Sequence, residues 1–316
     1  MEMKQFGEMV CDAVRKELGS GCKAEVKEIR KNNGILLHGL LIRSGEGNIV
    51  PTIYLEGYLE ACHEGVPFEE IIGRILSVYR ADTVKDGSAD MTFFERFEDV
   101  KDRICCRLVG RERNWELLQE IPHVDFLDLS VCFYYAYSDE KLGEGSILIH
   151  NSHMEMWHTG TEELLQLALE NTPKLFPWKC LTLEEMFAEA DGGGMPFLKE
   201  DTIFRDIRVL TNSKTCYGAA CLLYPGVLEA QAASWTDRFY ILPCSVNEVI
   251  LIKASGTERP WELEWIVQEM NREQLAPDEV LSDRVYSYSL ESKKISPAWE
   301  ETNEKWEIGV QIPSQF

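Results

Sequence analysis

Met3, Phe6, Met9, Val10, Val14 and Leu18 recur at helical spacing, and the run stops at Gly19-Ser20-Gly21, so the pattern predicts an amphipathic helix over roughly 3–18. Alternation at Ala24, Val26 and Ile29, then Asn33-Gly34, then an apolar run from Ile35 to Ile42 predicts a hairpin of about 22–31 with 35–43. Asn-Gly accepts the positive φ angles of a type I′ turn. A third strand is expected near 49–54, and helices near 55–63 and 67–81 carry Leu59, Ile71, Ile72, Ile75, Leu76 and Tyr79 on their faces. Further along, the pattern predicts a helix near 90–102, a strand at 104–109 and a helix at 114–120. An aromatic-rich strand follows near 125–137, paired with another at 145–150. Thr159-x-x-Glu162 and Thr182-x-x-Glu185 read as capping boxes and place helices at roughly 160–171 and 183–190.

Asp191-Gly192-Gly193-Gly194-Met195-Pro196 is the clearest breaker in the chain, and a lobe boundary is expected there. Beyond it the pattern predicts strands at 206–211 and 217–223 paired across Asn212-Ser213-Lys214, and a helix at 225–235. Strands at 238–242 and 247–253 and a helix at 260–273 complete the order β-β-α-β-β-α. Hairpins without regular βαβ alternation argue for an α+β fold of largely antiparallel sheets with packed helices, in two lobes. The lobes are residues 1–190 and 195–290, and 291–316 is expected to be a weakly structured tail.

Composition narrows the function classes. The 316 residues are 45% hydrophobic and 10% aromatic, enough for a substantial core. Fifty-four acidic against 32 basic residues leave a net charge of −22. Nucleic acid is gripped by Lys and Arg displacing phosphate counterions, so binding through phosphate contacts is not expected. The ten cysteines form no C-x-x-C pair and several sit in apolar stretches, as in Val131-Cys132-Phe133 and Ala220-Cys221-Leu222, which reads as reduced thiols in a cytoplasm. The N-terminus interrupts its apolar residues with charges, so neither a signal peptide nor a membrane span is expected.

Several stretches share a pattern: Asn33-Gly34-Ile35-Leu36-Leu37-His38-Gly39-Leu40, Pro51-Thr52-Ile53-Tyr54-Leu55-Glu56, and Ile121-Pro122-His123-x-x-Phe126-Leu127-Asp128-Leu129. To these are added Ile147 to Asn151 with Trp157, Asn171-Thr172-Pro173, Leu210-Thr211-Asn212 through Tyr217-Gly218-Ala219-Ala220, Ile241 to Ser245, and Leu281-Ser282-Asp283-x-Val285-Tyr286. Together they resemble an uncharacterised bacterial family, a domain of unknown function, over about residues 30–290. The resemblance implies a bacterial cytoplasmic protein and carries no activity.

Two clusters carry candidate chemistry. His123 and Asp125 stand just ahead of a predicted strand, where a carboxylate-oriented imidazole could serve as a general base. His150, Asn151 and His153 lie at the end of the next strand, with Glu155 and His158 beyond, and form the candidate ligand-binding segment. If those strands are antiparallel partners, His123 and Asp125 approach His150 and Asn151. The spacing is not His-x-x-x-His, so no metal is expected. No G-x-S-x-G, phosphate loop or G-x-G-x-x-G is present, so no cofactor is expected either. The expected function is a non-enzymatic intracellular binding or regulatory module with an unknown protein or small-molecule partner. The alternative is a hydrolase-like enzyme with an unfamiliar His/Asp site, with or without the assistance of a metal.

Overall fold

The computed structural model describes residues 1–19, 21–44, 52–82, 92–139, 143–182, 185, 207–256 and 259–299. Helices mix with sheets in which every described strand pairing with a known register is antiparallel, so the fold is α+β. The chain clusters into two compact units, Met1–Phe94 with Ser138–Gly145, and Glu95–Tyr137 with Ser146–Phe316. The breaker at 191–196 and, apart from residue 185, the helix expected at 183–190 lie outside the described residues.

In the first unit, helix α1 (Met3–Leu18) buries Phe6, Val10, Cys11 and Val14, the face expected from the spacing. It packs on a three-stranded sheet of β1 (Cys22–Arg30), β2 (Leu36–Ser44) and β3 (Thr52–Tyr54). The hairpin register runs from Cys22 opposite Ser44 to Arg30 opposite Leu36. At its turn Asn33 and Gly34 take φ of 60° and 68°, closed by Ile35 N–H donating to Asn32 O at 3.4 Å, because only residues tolerant of left-handed backbone can make a turn that follows the strands' twist. Helices α2 (Glu56–His63) and α3 (Phe68–Asp82) complete the unit, with Ile71, Ile72, Ile75, Leu76 and Tyr79 in its core.

The second unit holds two sheets. The first has the order β4 (Ile104–Gly110), β6 (Leu129–Asp139), β5 (His123–Phe126), with β7 (Gly143–Leu148) also paired to β6. The second has the order β13 (Lys294–Pro297), β12 (Tyr286–Ser289), β10 (Arg238–Leu242), β11 (Val249–Lys253), β9 (Ile207–Asn212), β8 (Trp178–Thr182). Strands on either side of the 191–196 breaker, β8 and β9, thus share one sheet, and the tail expected from 291 begins with a strand. Around the sheets stand α4 (Phe97–Val100), α5 (Trp115–Leu118), α6 (Asn151–Trp157), α7 (Thr161–Leu175), α8 (Val227–Trp235) and α9 (Pro260–Glu273).

Four local expectations are corrected. The helix expected over 90–102 is broken: two short 3-10 turns flank α4, and Arg96 between them is extended at φ −113°, ψ 123°. The strand expected over 125–137 is a hairpin, since Leu127 turns left-handed at φ 57° and Phe126 pairs with Leu129. Residues 217–223 do not form a strand paired with 206–211. Gly218–Leu223 is a buried 3-10 helix, and β9 pairs instead with β8 and β11. Finally, α7 is capped at Gly160, and Thr159 Oγ1 donates to Glu163 at 2.6 Å, whereas the Thr182–Glu185 box forms with both reciprocal bonds.

Candidate functional site

The candidate residues gather along one edge of β6. His123 opens β5 opposite Cys132, and Ile149 N–H donates to Phe133 O at 3.1 Å at the neighbouring position of β6. The end of the β7 segment therefore meets the start of β5. Two short strands thus lie end to end on one edge of β6, where the sequence pattern predicts one long strand paired with 145–150. Asn151 ties the junction together: its backbone N–H donates to Glu120 O at 3.0 Å and its Nδ2 to Gln119 O at 3.1 Å.

Asp125 shares a face with His123, two residues along the strand, yet its carboxylate is held elsewhere. Arg111 Nη1 stands 3.0 Å from Asp125 Oδ2, and Ser130 Oγ donates to Oδ1 at 3.3 Å. His123 Nδ1 lies 3.1 Å from Ile121 O, so the imidazole is turned to its own backbone. No hydrogen bond joins His123 to Asp125.

His150 caps α6, and His153 stands one turn in, where a capping box places Glu or Gln. Its Nδ1 accepts the His150 backbone N–H at 3.0 Å, a bond that needs Nδ1 unprotonated. Burial, then the neighbouring His150, pushes the His153 pKa below the usual imidazole value, which keeps that nitrogen an acceptor. The His153 ring stacks on Trp157 at 5.6 Å and meets His150 edge-on at 5.6 Å. Among the described residues no three His, Cys, Asp or Glu side chains converge as metal ligands.

The thiols of this unit are held protonated. Burial pushes Cys106 and Cys180 up to about 11 and Cys105, Cys132, Cys221 and Cys244 up to about 12, and all ten cysteines are free.

Three polar constellations were missed by motif reasoning. Arg107 of β4 donates from Nη1 to Tyr217 Oη at 3.0 Å. Asp128, in the β5–β6 turn, accepts Ser282 Oγ at 2.6 Å and Tyr286 Oη at 2.5 Å, beside the Arg113–Asp283 ion pair. In the first unit, Glu56 Oε1 accepts the His38 backbone N–H at 2.7 Å and lies 3.1 Å from His38 Nδ1, joining β2 to the first turn of α2. Asp128, Ser282, Tyr286, His38 and Glu56 all stand within the stretches that carry the family resemblance, which was the available signal. Arg107 had none, because a lone arginine in an apolar run matches no motif.

Among the described residues no helix is long and apolar enough to cross a membrane. No curated protein and no solved structure matches the chain. Residues 3–290 match a family model that extends across both units, and the chain belongs to DUF5688, a family of unknown function.

Proposed function

We propose that this protein is a non-enzymatic binding or regulatory module of the bacterial cytoplasm, acting on a small-molecule or protein partner and not on nucleic acid through phosphate contacts. The observation that carries the reading is the separate commitment of the two candidate catalytic groups. Asp125 is spent on Arg111 and Ser130, and His123 faces its own backbone at Ile121, so neither orients the other for proton transfer. Support also comes from the thiols: nucleophilic sulfur needs a depressed pKa, and the buried cysteines go the other way. The 149–153 segment is likewise used for backbone tethering and helix capping, which builds a rigid platform.

Thermal unfolding of the full chain against a panel of metabolites, run beside generic ester, phosphoester and peptide hydrolysis assays, tests the reading. Saturable stabilisation by a ligand that is recovered chemically unchanged is the expected result. Hydrolysis abolished by His123→Ala in a folded variant would overturn it in favour of the hydrolase alternative.

A further inference from the structure

Strand β4 is buried at every position except Arg107 at its centre. Apolar neighbours on both sides explain the strand, and nothing about the strand explains an arginine. The register sets Arg107 opposite Cys132, which in turn is opposite His123, so the three occupy one row on one face of the sheet. The guanidinium is held firmly on one side: Nη1 donates to Tyr217 Oη at 3.0 Å, and the guanidinium carbon lies 5.0 Å from the Tyr217 ring centroid.

Tyr217 is itself fixed. Its backbone is left-handed at φ 53°, its N–H donates to Asn247 Oδ1 at 3.1 Å, and its ring lies 5.4 Å from that of Tyr134 on β6. Gly218 behind it has no room for a side chain. The remaining side of the guanidinium is unpaired. Among the described residues no carboxylate forms an ion pair with Arg107, although the chain has 54 acidic residues. Nearby Arg111 and Arg113 are paired with Asp125 and Asp283. Arg107 Nε is shielded from solvent and has no acceptor. A guanidinium stays charged at all physiological pH, and a half-buried charge without a counter-ion is costly to keep. Its planar fork matches the two oxygens of a carboxylate or phosphate.

We propose that Arg107, preorganised by Tyr217, is the anchor of a binding site for an oxyanion, the carboxylate or phosphate group of a small acidic ligand. The inference rests on the binding reading above and names the ligand's chemistry. Inorganic phosphate and, separately, succinate are titrated at constant ionic strength into full-length protein with ¹⁵N-labelled arginine, following the Nε–Hε signals. The Arg107 signal, identified by its loss in Arg107→Lys, is expected to move saturably with at least one anion. The tighter of the two tells a phosphorylated ligand from a carboxylic acid. Arg107→Lys, which keeps the charge and loses the fork, is expected to weaken that anion by about tenfold or more by calorimetry. Tyr217→Phe, which keeps Arg107 and frees Nη1, provides a second weakened variant should Arg107→Lys fail to fold. An Arg107 signal unmoved at roughly tens of millimolar of both anions, well above the ~1 mM Kd of even a weak specific contact, overturns the inference. So does an uncharged ligand that stabilises the parent and Arg107→Lys equally, while leaving the binding reading standing. Turnover lost on His123→Ala removes the binding reading itself.

Discussion

A methyl group added at Gly218 would lie 2.2 Å from Thr211 Oγ1, 2.3 Å from the Asn247 carbonyl oxygen and 2.9 Å from Asn212 N. Two of those atoms are backbone, so the clash cannot be relieved by a rotamer change. Two of these atoms are already bonded to each other: Thr211 Oγ1 donates to Asn247 O at 2.7 Å. Gly218→Ala is therefore expected to lower stability by about 1–3 kcal/mol, as overpacking a tight site does. Urea unfolding of the two proteins checks it, and midpoints that coincide would refute the steric account. The glycine was visible in the sequence. The packing partner was not, because the atoms that exclude a side chain come from residues 211–212 and 247, brought together only by the β9–β11 pairing.

At the scale of elements, the chain's own patterning was most legible where the local code is redundant. α1 and α9 occupy the expected 3–18 and 260–273, and the Asn33-Gly34 hairpin forms with its expected partners, because spacing, breakers and turn residues agree there. The β5–β6 hairpin escaped notice for the opposite reason. Its turn residues are Leu127 and Asp128, and a leucine at φ 57° pays a local penalty that no turn rule anticipates. The Asp128 bonds to Ser282 and Tyr286 hold the turn in place from a segment more than 150 residues away. Leu127→Asn, with a residue that tolerates left-handed backbone, is expected to stabilise the protein by about 0.5 kcal/mol after the loss of some half-buried apolar contact. A lowered unfolding midpoint would show that Leu127's packing outweighs its strain.

For the whole molecule, the buried thiols and phenols set a pH dependence. Cys105, Cys132, Cys221 and Cys244 are raised to about 12, Cys106 and Cys180 to about 11, and burial also raises Tyr134, Tyr224 and Tyr286. Above about pH 9 the unfolded chain loses these protons first, so it binds fewer protons than the native state. The derivative of unfolding free energy with pH is then negative, and stability falls as pH rises from about 9 toward 12. Denaturant midpoints measured from pH 7 to 11 should decline beyond 9, and a flat profile would mean that the thiols are solvated.

What the sequence determined by itself is the α+β class, the antiparallel hairpin at 22–43, the longer helices and the family resemblance. Each of these depends on periodicity or on a short run of residues whose preferences act locally. What only the tertiary structure decided is which polar groups meet. Residues 218–223 were apolar enough for a strand, yet the close packing of Gly218 on Thr211 and Asn247 holds them as a 3-10 helix. Asp125 stood two residues from His123 and was drawn to Arg111 instead, because a full charge outcompetes an imidazole for a carboxylate. Arg107 was one cation in an apolar run until β6 and the 217 loop closed around it, and its buried Nε without an acceptor exists only as a property of the folded chain.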